Sequence, residues 1–146
     1  MPDDPNELSG NDRIMADVRE HGGQVTIGRL AGSNLLIMTS VGARTGKPRS
    51  NPIGYTRDGD RYVLVGSNSG GSTTPLWVAN VRANPVVTVE AAGETFKARA
   101  TVTEGAERRR LLDAHQAAIP MFVKYEEMAE GVRELQVVAL ERIPEG

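Results

Sequence analysis

Apolar residues recur along this chain with two different periods, and these periods predict its helices and strands. In residues 11–21, Ile14, Met15 and Val18 form a stripe at helical spacing, which predicts a helix. Later helices are predicted between Pro75 and Asn84 and at residues 104–118 and 120–128. Short apolar runs between turn residues predict strands at residues 35–39, 49–55, 61–65, 86–91, 95–102 and 135–140.

Turn residues between the strands predict how the strands pair. Asp58-Gly59 separates the second and third predicted strands, and Ala92-Gly93 separates the fourth and fifth, which indicates two hairpins. Because strands joined by tight hairpins pair antiparallel, we expect a mainly β fold of the α+β class. The architecture predicted from the residues alone is an antiparallel barrel with helices packed outside it.

The composition is typical of one globular domain. Residues 1–10 are polar and contain two prolines and a glycine, so we expect a flexible tail before a single domain at residues 11–146. The absence of cysteine excludes disulfides and thiolate metal ligands. The two histidines lie far apart in the sequence, so we predict no metal site.

Charge and hydropathy restrict the partners that this chain can have. The formal net charge of −2 offers no general attraction to nucleic acid. No apolar run approaches the ~20 residues that span a bilayer, and the acidic start Met1-Pro2-Asp3-Asp4 is unlike a signal peptide. We therefore predict a cytoplasmic protein with a small-molecule partner. Peripheral membrane association stays open, as does the choice between monomer and homodimer.

Positive charge is concentrated in residues 31–57. This stretch contains Arg44, Lys47, Arg49 and Arg57 but no aspartate or glutamate, in a chain whose net charge is negative. An arginine can bind a phosphate or a carboxylate through two parallel hydrogen bonds. The pattern therefore indicates an anion site, and a solvated β-turn is an equally good interpretation.

Glycines bracket the first of these basic residues. Gly42 and Gly46 allow the backbone to approach a ligand closely and to present N–H groups to an anion, while Thr45 and Ser50 add neutral donors. A nucleotide-binding P-loop is excluded, because Pro48 stands where the hydroxyl residue that binds magnesium belongs.

A second candidate is the stretch from Gly66 to Ser72, which is too rich in glycine and serine for a helix or a strand. It leads into a predicted helix N-terminus, where free N–H groups and the helix dipole favour an anion or a polar ring. Trp77, the sole tryptophan, would either lie against a flat ring or belong to the core. Taken alone, the core position is the better interpretation.

The remaining candidates are weaker. His115 lies in a charged helix, which predicts a surface position, and residues 108–110, all arginine, predict a solvated helix face. Tyr125, with Met121 and Phe122, belongs either to the core or to the wall of a substrate pocket. No Gly-x-Ser-x-Gly elbow occurs. Since no general base or nucleophile stands out, an enzyme with this sequence would rely on a cofactor for its chemistry.

Three segments resemble those of a known family, and the third and least specific of them is the closing strand at residues 137–143. Residues 39–52, Thr-Ser-Val-Gly-Ala-Arg-Thr-Gly-Lys-Pro-Arg-Ser-Asn-Pro, resemble the Gly-x-(Arg/Lys)-(Ser/Thr)-Gly-x-x-Arg-x-x-Pro signature of the deazaflavin-dependent nitroreductase family, which binds coenzyme F420. Residues 65–71, followed by Pro-Leu-Trp and Asn-Val-Arg-Ala-Asn-Pro, resemble its second motif. The likeness extends over about residues 12 to 143. It implies an antiparallel split β-barrel of the FMN-binding type with flanking helices.

The resemblance also implies roles for individual residues. Those that would hold the phosphate and oligoglutamate tail of the cofactor are Arg44, Thr45, Lys47 and Arg49, and Gly46 and Pro52 would also belong to the cofactor site. Those that would lie along the deazaflavin and its ribityl chain are Ser67, Asn68, Gly70, Gly71, Trp77 and Asn80. Tyr125 and Ser67 would be the substrate-side, catalytic residues. The sequence departs from the family pattern at Thr74, where many relatives have histidine, and at Asn68, where lysine is frequent.

The activity implied by the resemblance is that of an F420-dependent oxidoreductase. Such an enzyme transfers hydride from the reduced deazaflavin to a quinone, a nitroaromatic or a similar activated acceptor. Two alternatives stay open at this point. A protein that carries F420 without catalysis would need the same residues, because they grip the tail and not the reacting carbon. A barrel that binds FMN would share the fold, although FMN is the less favoured cofactor.

Overall fold

The structure is a computed structural model that describes residues 10–27 and 31–144. Most of the predicted tail, residues 1–9, lies outside these ranges, and Gly10 already belongs to the first helix. The α-helices described are α1 Gly10–Glu20, α2 Leu76–Ala83, α3 Gly105–Ala118 and α4 Met121–Ala129, with a short 3-10 helix at Asn68–Gly70. The strands are β1 Leu35–Val41, β2 Pro48–Gly54, β3 Thr56–Asp58, β4 Arg61–Gly66, β5 Val86–Ala91, β6 Glu94–Val102 and β7 Gln136–Arg142.

The seven strands of the described ranges form one antiparallel sheet in the order β2-β1-β5-β6-β7-β4-β3. β2 and β3 lie at the two edges of this order, yet only Tyr55 separates them in the chain. Residues 48–58 therefore pair first with β1 and then with β4. This change of partner curls the sheet into a split barrel, which agrees with the fold implied by the resemblance.

The turn at Asp58-Gly59 is in the predicted place, but the strands that it joins are not the predicted ones. It connects β3 to β4, with Asp58 opposite Arg61. β2 instead pairs with β1, with Pro48 opposite Val41. The predicted hairpin between residues 49–55 and 61–65 is therefore wrong, because the apolar pattern does not reveal that the chain changes partner at Tyr55.

The interior of the barrel forms the main core. Alternate residues of the strands face it, and Leu36 and Met38 of β1 are completely buried there. Helix α2 packs into the same cluster through Trp77, Val78 and Val81. The helix thus flanks the sheet, as predicted, and its apolar residues complete the main core.

The other helices cover the outer face of the sheet. Met15 and Val18 of α1 pack against Leu35 and Ile37, which are the β1 residues that point away from the interior. Helices α3 and α4 cover β4 and β7, through a cluster made of Val63, Val65, Leu111, Leu112, Ala129, Leu135, Val137 and Ala139. Within residues 10–27 and 31–144, no helix has the length and apolar content needed to cross a membrane.

Candidate functional site

The two segments that the sequence singles out follow strands that end on the same side of the sheet. Four successive antiparallel pairings lead from β1 through β5, β6 and β7 to β4, so β1 and β4 run in the same direction. β1 ends at Val41 and β4 ends at Gly66. The basic turn (residues 42–49) and the glycine-rich loop (residues 66–72) therefore both begin at the carboxyl ends of strands that run in the same direction.

Backbone hydrogen bonds close the basic turn. The Gly42 N–H donates to the Lys47 carbonyl at 2.8 Å, and the Gly46 N–H donates to the Gly42 carbonyl at 2.9 Å. Gly46 has a φ of +68°, which favours glycine. A Cβ at Gly42 would lie 2.6 Å from the Thr45 hydroxyl oxygen and 3.3 Å from the Lys47 carbonyl oxygen, so the Thr45 side chain would have to move to admit one. The positive φ makes Gly46 the more restrictive of the two glycines.

The cations of the basic turn are available to a ligand. Arg44, Lys47 and Arg49 are exposed, and their side chains make no ion pair or hydrogen bond within the part of the chain that the structure describes. The Arg44 and Thr45 N–H groups likewise have no acceptor there. Pro52, the last residue of the signature, is half-buried in β2 opposite Ile37. The turn thus combines three exposed cations with free backbone donors.

The fourth cation of the basic stretch is not part of this site. Arg57 lies in β3, at the opposite edge of the strand order from β2, which contains Arg49. Its guanidinium stacks on the ring of Tyr62, 4.1 Å from the ring centroid. The concentration of charge seen in the sequence is therefore divided between the two edges of the sheet.

Helix α2 links the basic turn to the glycine-rich loop. The buried Asn80 accepts a hydrogen bond from the Ala43 N–H at 3.0 Å. Nearer the start of the helix, Pro75 and Val78 pack so closely on Gly66 that a Cβ there would lie 3.1 Å from a Val78 methyl group. The helix begins at Leu76, one residue later than predicted, and no side chain of the described residues caps it. One helix of eight residues therefore contacts both segments.

The conformation of the glycine-rich loop depends on residues that tolerate positive φ. Asn68 has a φ of +47°, and its side-chain amide donates to the Thr73 carbonyl at 3.1 Å and to the Thr73 hydroxyl at 3.2 Å. Gly70 has a φ of +80°, and a Cβ there would lie 2.8 Å from the sulfur of Met128 in α4. Gly71 donates its N–H to the Asn68 carbonyl at 2.9 Å. Asparagine, a residue that tolerates the left-handed region, thus suits position 68.

The predicted ring-contacting and substrate-side residues differ in accessibility. Trp77 is 8% exposed and belongs to the barrel core. The Ser67 side chain is buried, and its hydroxyl makes no hydrogen bond with described residues. Tyr125 is half-buried, and its hydroxyl donates to the sulfur of Met121 at 2.7 Å. Tyr125 lies about one helical turn before Met128, which covers Gly70, so α4 brings it toward the glycine-rich loop.

One residue that the sequence analysis missed is Arg133, between α4 and β7. Its guanidinium donates to the carbonyls of Gly66, Ser67 and Gly71, so it binds the glycine-rich loop directly. Burial lowers the pKa of Arg133 below its ordinary value. The sequence carries no signal for this contact, because the partners are main-chain oxygens more than sixty positions away.

The predicted surface position of His115 is wrong, since its side chain is completely buried. Its Nδ1 lies 2.7 Å from the Thr56 hydroxyl, and its ring stands edge-on to Phe122 with 4.4 Å between the ring centroids. Burial lowers the pKa of His115 to about 4. Its spacing from Leu111 and Leu112 would have placed it on the apolar face of the helix. The charged neighbours concealed that pattern.

The arginines at positions 108–110 are more than the predicted solvated face. Arg109 binds Glu126 of α4 and Arg110 binds Asp58 of β3. Hydrogen bonds from Arg110 and then from Arg61 lower the pKa of Asp58 to about 2. These ion pairs connect α3 to α4 and to β3.

Two cavities lie apart from the candidate site. One of about 240 Å³ is bordered by the Arg19–Glu90 ion pair and by the turn at Ala92-Gly93. The other, of about 450 Å³, includes Arg57 in its lining. Neither is lined by a residue of the predicted cofactor set. Among the described residues, no group of acidic and histidine side chains could hold a metal ion.

Similarity to known proteins extends over most of the chain. The family model described as F420H(2)-dependent quinone reductase matches residues 12–142. An F420H(2)-dependent quinone reductase of Mycobacterium tuberculosis is 38% identical over 61 residues, which cover 42% of this chain and 41% of that protein. The match thus extends over less than half the length of this relative.

Solved structures support the same grouping. The structure of an F420-H2 dependent reductase is 29% identical, has a TM-score of 0.66 and covers 73% of this chain and 93% of its own. The heme storage protein HutZ of Vibrio cholerae, with 12% identity, a TM-score of 0.58 and coverage of 90% and 89%, shares the fold alone. Because the family model matches residues 12–142, this chain belongs to the F420H(2)-dependent quinone reductase family.

Proposed function

We propose that this chain binds reduced F420 across the basic turn and the glycine-rich loop and uses it to reduce a quinone or a similar activated acceptor. The observation that carries the proposal is the set of three exposed cations, Arg44, Lys47 and Arg49, which have no carboxylate partner among the described residues. They lie on the same side of the sheet as the glycine-rich loop, at the carboxyl ends of β1 and β4. Family membership supplies the identity of the anion.

The donor set of the basic turn fits the tail of this cofactor. Phosphate and carboxylate groups are bound best by guanidinium, ammonium and free backbone N–H groups, and the turn offers all three. Arg44, Lys47 and Arg49 would pair with the phosphate and the glutamates. The free N–H groups of Arg44 and Thr45 would donate to the same anions, and Gly46 would allow their close approach. Asn80 would act indirectly in this arrangement, since its side chain holds the Ala43 N–H.

The remaining proposed residues would orient the ring system and the acceptor. When bound, reduced F420 supplies a hydride to an electron-poor acceptor. The glycine-rich loop would contribute Ser67, Asn68, Gly70 and Gly71, which are small residues that allow a close approach. The hydroxyls of Ser67 and Tyr125 would donate hydrogen bonds to an acceptor oxygen as negative charge develops on it. The Tyr125 hydroxyl would have to leave Met121 to do so.

We also propose the partners and the location of the chain. The acceptor is a small molecule, for which a quinone is the first candidate because the family is named for quinone reduction. One structural neighbour, 26% identical with a TM-score of 0.69, is described as a domain-swapped dimer, and this favours a homodimer over a monomer here. The cytoplasm stays the predicted location.

The direct test is turnover of the purified protein with reduced F420 and menadione. We expect the visible absorbance of the oxidised cofactor to appear at a rate that depends on both protein and menadione. Tight F420 binding without turnover on quinone or nitro acceptors would instead identify a carrier. A yellow protein as purified, with FMN outcompeting F420 in a fluorescence titration, would identify an FMN-binding barrel.

Replacing Arg49 with alanine tests the location of the anionic tail. We expect the F420 dissociation constant to rise by more than about tenfold, which corresponds to about 1.5 kcal/mol for a charge-assisted hydrogen bond. The measurement is a titration of F420 fluorescence against the protein. Arg57→Ala is the matched control, because it removes the same charge from the same basic stretch at the other edge of the sheet. An equal loss in both variants, or no loss in either, would contradict the assignment.

A further inference from the structure

We propose that Arg133 is the positioning residue of the glycine-rich loop, an inference that rests on the proposed function for its consequence in cofactor binding. All three guanidinium nitrogens of Arg133 are engaged. Nε donates to the Gly71 carbonyl at 3.1 Å, Nη1 to the Gly66 carbonyl at 3.0 Å, and Nη2 to the Ser67 carbonyl at 2.9 Å. Nη1 also donates to the Gln136 side chain at 3.2 Å. One side chain therefore holds both ends of the loop.

The Arg133 clamp, which consists of the hydrogen bonds to the carbonyls of Gly66, Ser67 and Gly71, determines which way the amides of the loop point. In a trans peptide, the carbonyl of one residue and the N–H of the next point in opposite directions, and the described residues contain no cis peptide. Since the Ser67 and Gly71 carbonyls point at Arg133, the Asn68 and Ser72 N–H groups point away from it. Neither N–H has an acceptor among the described residues. Arg133 thus turns two free donors toward the opposite side of the loop.

The charge of Arg133 strengthens these donors. No carboxylate within the described residues pairs with its guanidinium, so its charge is met by carbonyl dipoles alone. Hydrogen bonding of a carbonyl to a cation polarises the peptide unit and makes its N–H a better donor. The side of the loop that faces away from Arg133 is therefore suited to the electron-rich edge of a ring system or to an anion.

The fork of a guanidinium is essential to this arrangement. Its nitrogens lie in one plane at fixed separations and can reach three carbonyls at once, whereas the ammonium of lysine is a single centre. Arg133→Lys would keep the charge and lose the geometry. Loss of function in this variant would therefore separate positioning from simple charge attraction.

The experiment compares Arg133→Lys with wild type in two measurements. In the protein without cofactor, we expect the hydrogen-bonded amides of the loop, those of Ser67, Gly70 and Gly71, to exchange hydrogen faster by about tenfold or more, with little change elsewhere. In a fluorescence titration, we expect the F420 dissociation constant to rise by about tenfold. Arg108→Lys is the matched control, because Arg108 donates to the Leu135 carbonyl at 2.9 Å and does not touch the loop. Arg133→Gln replaces the lysine variant if that variant does not fold.

The possible results distinguish the two proposals. Unchanged exchange at residues 66–72 in the variant would overturn the positioning role, as would exchange that accelerates equally along the whole chain. Faster exchange in the loop with unchanged F420 affinity would establish the clamp and overturn its consequence for cofactor binding. If the wild-type protein binds no F420, the proposed function fails, and local loss of protection in the variant would still establish the clamp.

Discussion

Replacing Trp77 with alanine is expected to lower the free energy of unfolding by about 3–5 kcal/mol. The indole is 8% exposed and belongs to the cluster that fills the barrel, together with Leu36, Met38 and Leu64. Its removal would leave a cavity between α2 and the strands that the fixed sheet cannot close. Since a domain of this size is stabilised by only about 5–15 kcal/mol, a large part of the total would be lost.

The measurement is urea unfolding followed by far-ultraviolet circular dichroism, because the variant has no tryptophan fluorescence. Leu76→Ala is the matched control on the same helix, since Leu76 is 84% exposed and a surface change of this kind costs under about 0.5 kcal/mol. Trp77→Phe should recover part of the loss, because a smaller aromatic ring fills part of the cavity. A cost below about 1 kcal/mol for Trp77→Ala would show that the indole is not a core residue.

The result also decides what Trp77 contributes to function. The resemblance implies that its indole lies along the deazaflavin, whereas its burial favours the core. If Trp77→Phe keeps the stability and still loses F420 affinity, the ring contacts the cofactor as well as the core. If both properties follow the size of the side chain, Trp77 acts on the site only by holding α2 in place. The second outcome is the one that the burial favours.

Local signals predicted the elements well where a single segment determines its own conformation. The hairpin at Ala92-Gly93 is in the predicted position, and both turn residues have a positive φ, of 49° and 83°. The predicted pairing of residues 49–55 with residues 61–65 was wrong because it depends on more than one segment. Either partner could accept the same extended residues, and only the closed arrangement of seven strands selects β1 for one half and β4 for the other.

The candidate site was predictable as two separate segments but not as one surface. Charge and glycine spacing indicated the basic turn, and serine and glycine content indicated the loop. The contacts that relate them cross large distances in sequence, such as Asn80 to Ala43 and Arg133 to Ser67. An amide or guanidinium that binds a main-chain oxygen or N–H leaves no pattern in the partner's residue type. These residues could therefore be found only in the folded chain.

Acidification between about pH 7 and about pH 4.5 is expected to destabilise the protein through His115. Burial lowers the pKa of this imidazole to about 4 in the folded chain, against an ordinary value of 6.5. Between about pH 6.5 and about pH 4, His115 is therefore protonated in the unfolded chain and neutral in the folded chain. Stability is complete above that value and falls as the pH decreases, by about 1.4 kcal/mol per unit and about 3 kcal/mol in all.

The hydrogen-bonded carboxylates act in a lower range of pH and do not obscure this effect. Asp17, Glu90 and Glu126 have lowered pKa values because of hydrogen bonds from Thr26, Arg19 and Arg109 respectively. A carboxylate of this kind contributes stability above its unfolded pKa, 3.8 or 4.5 here, and loses it as the pH falls further. The fall in stability above about pH 4.5 therefore belongs to His115.

The test is the free energy of unfolding in urea at several pH values for wild type, His115→Gln and His21→Gln. His115→Gln keeps an amide that can bond to Thr56 but cannot take up the proton, so we expect its stability to be nearly constant down to about pH 4.5. His21→Gln should keep the slope of the wild type, because it leaves the buried imidazole in place. An equal slope in wild type and His115→Gln would contradict the assignment. A difference would identify His115 as the group through which acid destabilises the packing of α3 on the sheet, because no described residue accepts a hydrogen bond from the buried Nε2 of this imidazole.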